Sequence, residues 1–205
     1  MRIGKARFLR ILLHVAALMP LVLFSWDLVH GQLTANPIRE IQLRTGRYAL
    51  LMLTLTLACT PVYTVTGLKE VLSFRRPLGL YAFAYASWHM LNLVGLDYRF
   101  DFPLLWVDLA EKRYIVVGFA AFLILLTLAM TSTSGWMKRL GRNWRRLHGL
   151  VYLAGVLAVI HYIWQAKVAV RTPLIYGIVI ILLLLLRIPA VGRLATKYLK
   201  RRSKQ

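Results

Sequence analysis

Runs of about 20 apolar residues recur six times in this chain of 205 residues. Each run is long enough to cross a hydrocarbon layer about 30 Å thick as a helix. Hydrophobic residues make up 59% of the chain, against roughly 45–50% in soluble domains. The fold class predicted is an all-α integral membrane protein, a six-helix transmembrane bundle forming a single domain over residues 1–205. The predicted spans lie at about 8–29, 48–66, 78–96, 114–131, 147–166 and 173–190.

The placement of the basic residues predicts the orientation of the bundle. With the N-terminus inside, 19 of the 27 Lys and Arg residues fall on the cytoplasmic side and 8 on the outer side. This distribution follows the positive-inside rule and predicts that both termini are cytoplasmic, with the first apolar run kept as an uncleaved span. The net charge of +20 therefore has an explanation in topology, and nucleic-acid binding is the less favoured alternative.

Two histidines within the apolar runs indicate a cofactor. His89 and His161 lie in the third and fifth spans, which run in the same direction, and a rise of 1.5 Å per residue puts both at a similar depth in the outer half of the bilayer. Two imidazoles at one level on two helices are what a six-coordinate b-type haem needs, whereas a lone histidine is more often a hydrogen-bonded core residue. Small residues nearby are expected to make room: Ala82, Ala84, Ala86, Ala154, Gly155 and Ala158.

A third histidine, His148, lies thirteen residues before His161, near the predicted cytoplasmic boundary. On a straight helix the two side chains point about 220° apart, which disfavours two stacked haems. The third span has Arg75 and Arg76 where a fourth histidine would be needed. One haem is predicted and a second is doubtful, with His14 as a conceivable unconventional partner for His148.

Three segments carry a resemblance to a known family: "RRPLGLYAFAYASWHMLN", "KRYIVVGFAAFLILLTLAMTS" and "LGRNWRRLHGLVYLAGVLAVIHYIW". They resemble the ferric-reductase-like transmembrane domain and, within it, the MsrQ (YedZ) family of haem-binding membrane subunits that serve bacterial repair of periplasmic methionine sulfoxide. The resemblance implies that His89 and His161 are axial ligands of haem b and its iron, and that His148 is a candidate ligand at the cytoplasmic end.

The resemblance also implies partners on both sides of a bacterial inner membrane. Electrons would come from the quinone pool, a flavin reductase or a bound flavin mononucleotide (FMN), and would pass to a periplasmic molybdopterin-containing methionine sulfoxide reductase subunit. The chain has no G-x-G-x-x-G segment with which to bind a nicotinamide cofactor itself. Candidate residues for the flavin phosphate are Arg75, Arg76, Arg145 and Arg146, within a basic cluster that also contains Lys138, Arg139 and Arg142.

The carboxylates suggest a docking surface for the periplasmic partner. Six of the seven acidic residues lie on the predicted outer side, four of them in the loop after the third span: Asp97, Asp101, Asp108 and Glu111. Two other functions stay open. A stand-alone ferric or cupric reductase would use the same haem, and a small proton-coupled transporter would use the histidines as a relay, although the spans contain almost no carboxylates to complete one.

Overall fold

The computed structural model describes residues 2–166 and 170–187, and within these ranges it is built of helices and short turns, without a β-strand. The all-α prediction is confirmed. The α-helices are α1 (Arg2–Val29), α2 (Pro37–Thr66), α3 (Arg75–Leu91), α4 (Phe102–Glu111), α5 (Arg113–Met130), α6 (Ser134–Leu140), α7 (Arg142–His148), α8 (Val151–Gln165) and α9 (Arg171–Leu185). A 3₁₀-helix, Lys69–Phe74, precedes α3, and a π-helix, Asn92–Asp97, follows it without a break.

Four helical segments are long and apolar enough to cross a membrane: Arg7–Val29, Pro37–Thr66, Arg113–Met130 and Arg142–Gln165. The chain is therefore a multi-pass membrane protein, as predicted. The other two predicted spans fall on α3 with its π-helical extension and on α9, a shorter apolar helix. Six spans and the orientation of the termini stay predictions. Residues 188–190 of the last predicted span and the basic tail lie outside the described residues.

The second helix begins at Pro37, earlier than the start near residue 48 that the apolar run predicts. Its N-terminus carries the local signals of a helix start. The Asn36 side chain accepts a hydrogen bond from the backbone N–H of Arg39, Pro37 occupies the first turn, and Glu40 follows in that turn. These polar residues extend α2 beyond the apolar run that hydropathy detects.

Two predicted loops also contain helices. The predicted outer loop after the third span holds α4, whose start is capped by the Asp101 side chain accepting from the Leu104 N–H at 3.0 Å. The predicted cytoplasmic loop after the fourth span holds α6 and most of α7. Both α4 and α6 are too short to span a bilayer, so apolar length alone could not identify them.

The core of the bundle forms around α2, which contacts α3, α8 and α9, while α5 packs against α3 and α8. Leu53, Leu57, Ala82, Ala154 and Ile180 are buried where these helices meet. Many large apolar side chains of α1 and α9 are exposed outside this core. In a membrane protein such faces are expected to contact lipid, so the exposed apolar surface agrees with the predicted spans.

An arginine closes a gap in the hydrogen bonding of α2. Pro61 lacks the N–H that would donate to the Leu57 carbonyl one turn earlier. The Arg187 guanidinium donates instead, at 2.7 Å to the Leu57 oxygen and at 2.9 Å to Thr60 Oγ1. It also donates to the Tyr152 hydroxyl. Arg187 thus joins α2 to α8 from the end of α9.

Replacing Arg187 by Met is expected to lower the free energy of unfolding by about 1–3 kcal/mol, because the Leu57 carbonyl loses its donor. The measurement is thermal or denaturant unfolding in detergent. Adding Pro61→Ala should restore part of the loss, since an alanine at this position would supply the missing N–H. Arg171→Met, which changes an exposed arginine at the start of α9, serves as the control. Equal stability of Arg187→Met and the parent would contradict the role assigned to Arg187.

Candidate functional site

The structure brings the rings of His89 on α3 and His161 on α8 next to each other in an edge-on arrangement. Their ring centroids lie 6.0 Å apart, and the two ring planes are nearly perpendicular at 87°. Among the aromatic contacts of residues 2–166 and 170–187, this pair alone joins two histidines. The two histidines predicted to lie at one depth are thus close to each other in the structure.

Each of these imidazoles is held by a backbone carbonyl of a neighbouring helix. His89 Nδ1 lies 2.9 Å from the Gln42 oxygen on α2, and His161 Nδ1 lies 2.7 Å from the Tyr114 oxygen on α5. A carbonyl can only accept, so both Nδ1 atoms carry the proton. This tautomer leaves the Nε2 lone pair of each ring available for a metal ion.

A glycine faces each ring, one turn after the carbonyl that holds it. A Cβ built on Gly46 would lie 2.9 Å from His89 Cε1, and one built on Gly118 would lie 2.5 Å from His161 Nδ1. Neither ring could stay in place against any larger residue. The same local arrangement, an accepting carbonyl at position i and a glycine at i+4, therefore occurs on α2 and on α5.

The sequence analysis did not identify these supporting residues. A glycine within a helix costs about 1 kcal/mol relative to alanine, so Gly118 inside an apolar run was the available signal, whereas Gly46 lies before the predicted second span. Of the small residues predicted to make room, Ala86 and Ala158 line the cleft. Ala82 and Ala154 are instead buried in the core, Ala84 is exposed, and Gly155 packs against Leu57.

The two histidines lie in a cleft of about 350 Å³ between α2, α3, α5 and α8. Its lining is largely apolar, as is usual for cofactor sites, and includes Leu43, Leu50, Leu53, Met90, Leu93, Phe119, Phe122 and Leu125. Polar residues occur toward the predicted outer end, where Asn36, Arg39, Arg47, Asp97 and Gln165 contribute to the lining. The cleft thus combines an apolar interior with a polar rim.

Gln42 has an incomplete set of hydrogen bonds inside the cleft. Its Nε2 lies 3.3 Å from His89 Nε2, while its Oε1 is buried without a partner. A buried amide oxygen without a donor is uncommon in folded proteins. The Gln42 oxygen is therefore free to accept a hydrogen bond from a molecule bound in the cleft. Because His89 Nδ1 carries the proton, His89 Nε2 accepts from the Gln42 amide N–H, and a metal ion bound at that nitrogen would replace this hydrogen bond.

His148 has a different environment at the end of α7. Its Nε2 lies 3.1 Å from Thr131 Oγ1, and its ring stacks on Trp144 with centroids 4.0 Å apart. His14, the conceivable partner, instead has its Nδ1 2.9 Å from the Tyr81 hydroxyl. The part of the chain that the structure describes contains no cluster of three or more His, Cys, Asp or Glu residues able to hold a metal ion.

The four arginines predicted to hold a flavin phosphate are exposed. Arg75 and Arg76 form the first turn of α3, and Arg145 and Arg146 lie in the last turn of α7 beside His148. None of them pairs with a carboxylate within the described ranges. Their guanidinium groups are therefore accessible to an anion.

The carboxylates of the predicted docking surface have intramolecular partners. Asp108 accepts from Lys112 Nζ at 2.5 Å and from the Tyr98 hydroxyl. Lys112, followed by Tyr98, lowers the pKa of Asp108, and burial followed by Asp108 raises the pKa of Tyr98. Asp101 caps α4. The Lys112 ion pair offsets the negative charge of Asp108, whereas the bond at the cap orients the Asp101 carboxylate and leaves it charged.

Comparison with known proteins identifies the family of this chain. Residues 45–159 match the family described as ferric reductase like transmembrane component, which gives the class of membrane protein. The protein-methionine-sulfoxide reductase heme-binding subunit MsrQ of Xanthomonas euvesicatoria is 47% identical over 179 residues, covering 84% of this chain and 82% of that protein. The MsrQ protein of Rhodospirillum rubrum is 44% identical over 186 residues, covering 90% and 89%. The chain belongs to the MsrQ family, as the resemblance predicted.

Proposed function

We propose that this chain is the haem-binding membrane subunit of a methionine sulfoxide reductase system and that it carries electrons across the bacterial inner membrane. The adjacent imidazoles of His89 and His161, each with Nδ1 bonded to a carbonyl, are the observation that supports this most strongly. The names of the relatives, which describe heme-binding subunits of this reductase, support it independently.

The distance between the histidines fits one metal ion between them. The ring centroids are 6.0 Å apart, a separation at which one metal ion could be bound by a nitrogen of each ring at about 2 Å. His89 and His161 would therefore hold the iron of haem b, which supplies one-electron chemistry when bound.

The protein contributes orientation and an apolar environment. The Gln42 and Tyr114 carbonyls fix the imidazole tautomer and increase the basicity of the ligand nitrogens, while Gly46 and Gly118 allow the rings to lie against α2 and α5. The apolar lining limits the access of water, which together with the axial ligands sets the reduction potential. Within one domain and with both termini cytoplasmic, the cleft would lie toward the periplasm.

The direction of electron flow follows from this placement. A haem toward the periplasm is positioned to reduce a periplasmic molybdopterin-containing subunit. The quinone pool or a flavin reductase would supply the electrons to the haem. We place sulfoxide reduction in that partner. Since Asp101 and Asp108 have partners within the chain, Asp97 and Glu111 are the acidic residues of this loop most available for docking.

One haem per chain is proposed. His148 Nε2 is already close to Thr131 Oγ1, and His14 contacts Tyr81, so the second pair would require both bonds to be given up. His148 stays a candidate ligand at the cytoplasmic side of the bundle. It would supply one imidazole to a metal ion there. A pyridine haemochrome assay on the purified wild-type protein should give close to one b haem per chain.

The decisive experiment combines spectroscopy with electron transfer. The purified protein in lipid nanodiscs should show the low-spin spectrum of bis-imidazole haem b, and the reduced haem should be reoxidised by the periplasmic partner when methionine sulfoxide is present. Reoxidation by ferric citrate alone, without any response to the partner, would favour the stand-alone reductase. No bound haem after reconstitution would overturn the proposed function.

A flavin site is proposed on the cytoplasmic side. Replacing Arg145 and Arg146 together by Gln is expected to weaken retention of FMN roughly tenfold or more, because charged hydrogen bonds to a phosphate are lost. The flavin-to-protein ratio after gel filtration measures this, and the haem content should not change. Arg99→Gln with Arg113→Gln, which removes two exposed arginines from the predicted outer side, is the matched control. Unchanged FMN content in the Arg145/Arg146 variant would exclude these residues from the site.

A further inference from the structure

Three arginines near the start of α2 differ in their partners. Arg44 pairs with Glu40 at 2.5 Å and also with Asp27, and so joins the end of α1 to α2. Arg39 and Arg47 line the histidine cleft. Neither of them lies within 4.0 Å of a carboxylate in the ranges that the structure describes. The arginines without a partner are thus the two that face the cleft.

Both arginines are close to the residues that hold His89. Arg39 precedes Gln42, whose carbonyl bonds His89 Nδ1, by less than one turn, and Arg47 directly follows Gly46, which lies against the ring. The two arginines are eight residues apart, about 12 Å along the helix axis. Long flexible side chains at these positions can reach one ligand in the cleft.

The lining of the cleft has more positive than negative charge. Arg39 and Arg47 are both exposed, outside the predicted span at 48–66, and the one carboxylate among the residues that line the cleft is Asp97. A single carboxylate cannot neutralise two arginines. Carboxylates are the groups that the planar guanidinium binds best, with two parallel hydrogen bonds.

We propose that Arg39 and Arg47 bind the two propionate carboxylates of the tetrapyrrole whose iron the histidines hold. This inference rests on the proposed function. It adds to the two histidines a pair of arginines that bind the carboxylates of the cofactor. It explains why these two arginines have no partner within the described part of the protein while Arg44 has two. Arg39 and Arg47 are positioning residues, since they contact the periphery of the cofactor and leave ligation to the histidines.

The test compares two pigments in each protein variant. Apo-protein in neutral phosphatidylcholine nanodiscs is titrated with haem and with haem dimethyl ester, in which both propionates are uncharged. Wild type should bind haem about tenfold to a hundredfold more tightly than the ester, the range expected for charged hydrogen bonds. The ratio should fall about tenfold in Arg39→Gln and in Arg47→Gln, and should stay unchanged in Arg113→Gln, which changes an exposed arginine outside the cleft.

A second measurement is the midpoint potential of the bound haem. Loss of either guanidinium leaves a propionate uncompensated, so the potential should fall in Arg39→Gln and Arg47→Gln and stay constant in Arg113→Gln. These readouts do not depend on sulfoxide reduction. The titrations compare the affinities for haem and for haem dimethyl ester within each variant. A reduced folding yield therefore does not affect the ratio of the two affinities.

The outcomes separate this inference from the proposed function. If wild type gives the low-spin spectrum with both pigments at equal affinity, the haem site stands and the propionate role of the arginines is wrong. A preference for haem that survives in both arginine variants would also overturn it and would assign the arginines to another anion, such as a lipid phosphate. No low-spin spectrum with either pigment would overturn both.

Discussion

Replacing His89 or His161 by alanine is expected to abolish haem retention, whereas His148→Ala should keep the haem of the wild type. The first two imidazoles lie 6.0 Å apart, and each is anchored by a carbonyl at 2.7–2.9 Å. His148 instead stacks on Trp144 near Thr131. The pyridine haemochrome content of each purified variant, compared with its protein content, measures the effect.

Imidazole rescue distinguishes loss of a ligand from loss of the fold. The alanine variants leave a cavity where each ring was, so free imidazole added with haem should restore the low-spin spectrum in His89→Ala and His161→Ala. A purely structural histidine would not give this recovery of the spectrum. The ligand assignment would be wrong if His148→Ala lost the haem while one of the other two variants retained it.

Gly118→Ala is expected to reduce haem content severely, while the gain in helix propensity offsets part of the stability that the apo-protein loses with the bond to Tyr114. The added Cβ would lie 2.5 Å from His161 Nδ1, 2.7 Å from Cε1 and 3.1 Å from Cγ, so the ring must move and its bond to the Tyr114 carbonyl is lost. Alanine is a better helix former than glycine by about 1 kcal/mol. The helix itself should therefore be maintained or stabilised while the ligand is displaced.

Two further glycines calibrate this result. Gly46→Ala should have a smaller effect, because the nearest ring atom, His89 Cε1, would lie 2.9 Å away. Gly135→Ala on α6 should be neutral, since its added Cβ has nothing within 4 Å. Haem content and the thermal unfolding of apo-protein are measured for all three. Normal haem content in Gly118→Ala would show that His161 does not need its observed position to bind the cofactor.

The predictions from sequence were most successful where they depended on composition and on residue identity. Apolar length identified a multi-pass helical membrane protein, and the quoted segments identified the family that the comparisons confirm. The same length criterion missed the polar start of α2 at Pro37 and the short helices α4 and α6. Helix caps and turns depend on single hydrogen bonds, which a hydropathy pattern does not contain.

The site shows the same division. Counting residues along two spans predicted that His89 and His161 lie at one level, because helix rise is constant, and the structure puts their rings 6.0 Å apart. Counting could not reveal the carbonyls of Gln42 and Tyr114 as their partners, since every residue has a carbonyl and only the packing of α2 and α5 selects these two. The predicted small residues were largely the wrong ones, because those on the helices of the histidines face the core as often as the cleft.

The sequence by itself determined the membrane class and the family and predicted the pairing of His89 with His161, because hydrophobic length and residue chemistry are local properties. The tertiary structure decided the tautomer of the imidazoles, the need for Gly46 and Gly118, and which of the described arginines have no partner. These properties depend on distances between residues far apart in the chain. Such distances are set only when α2, α3, α5 and α8 pack together.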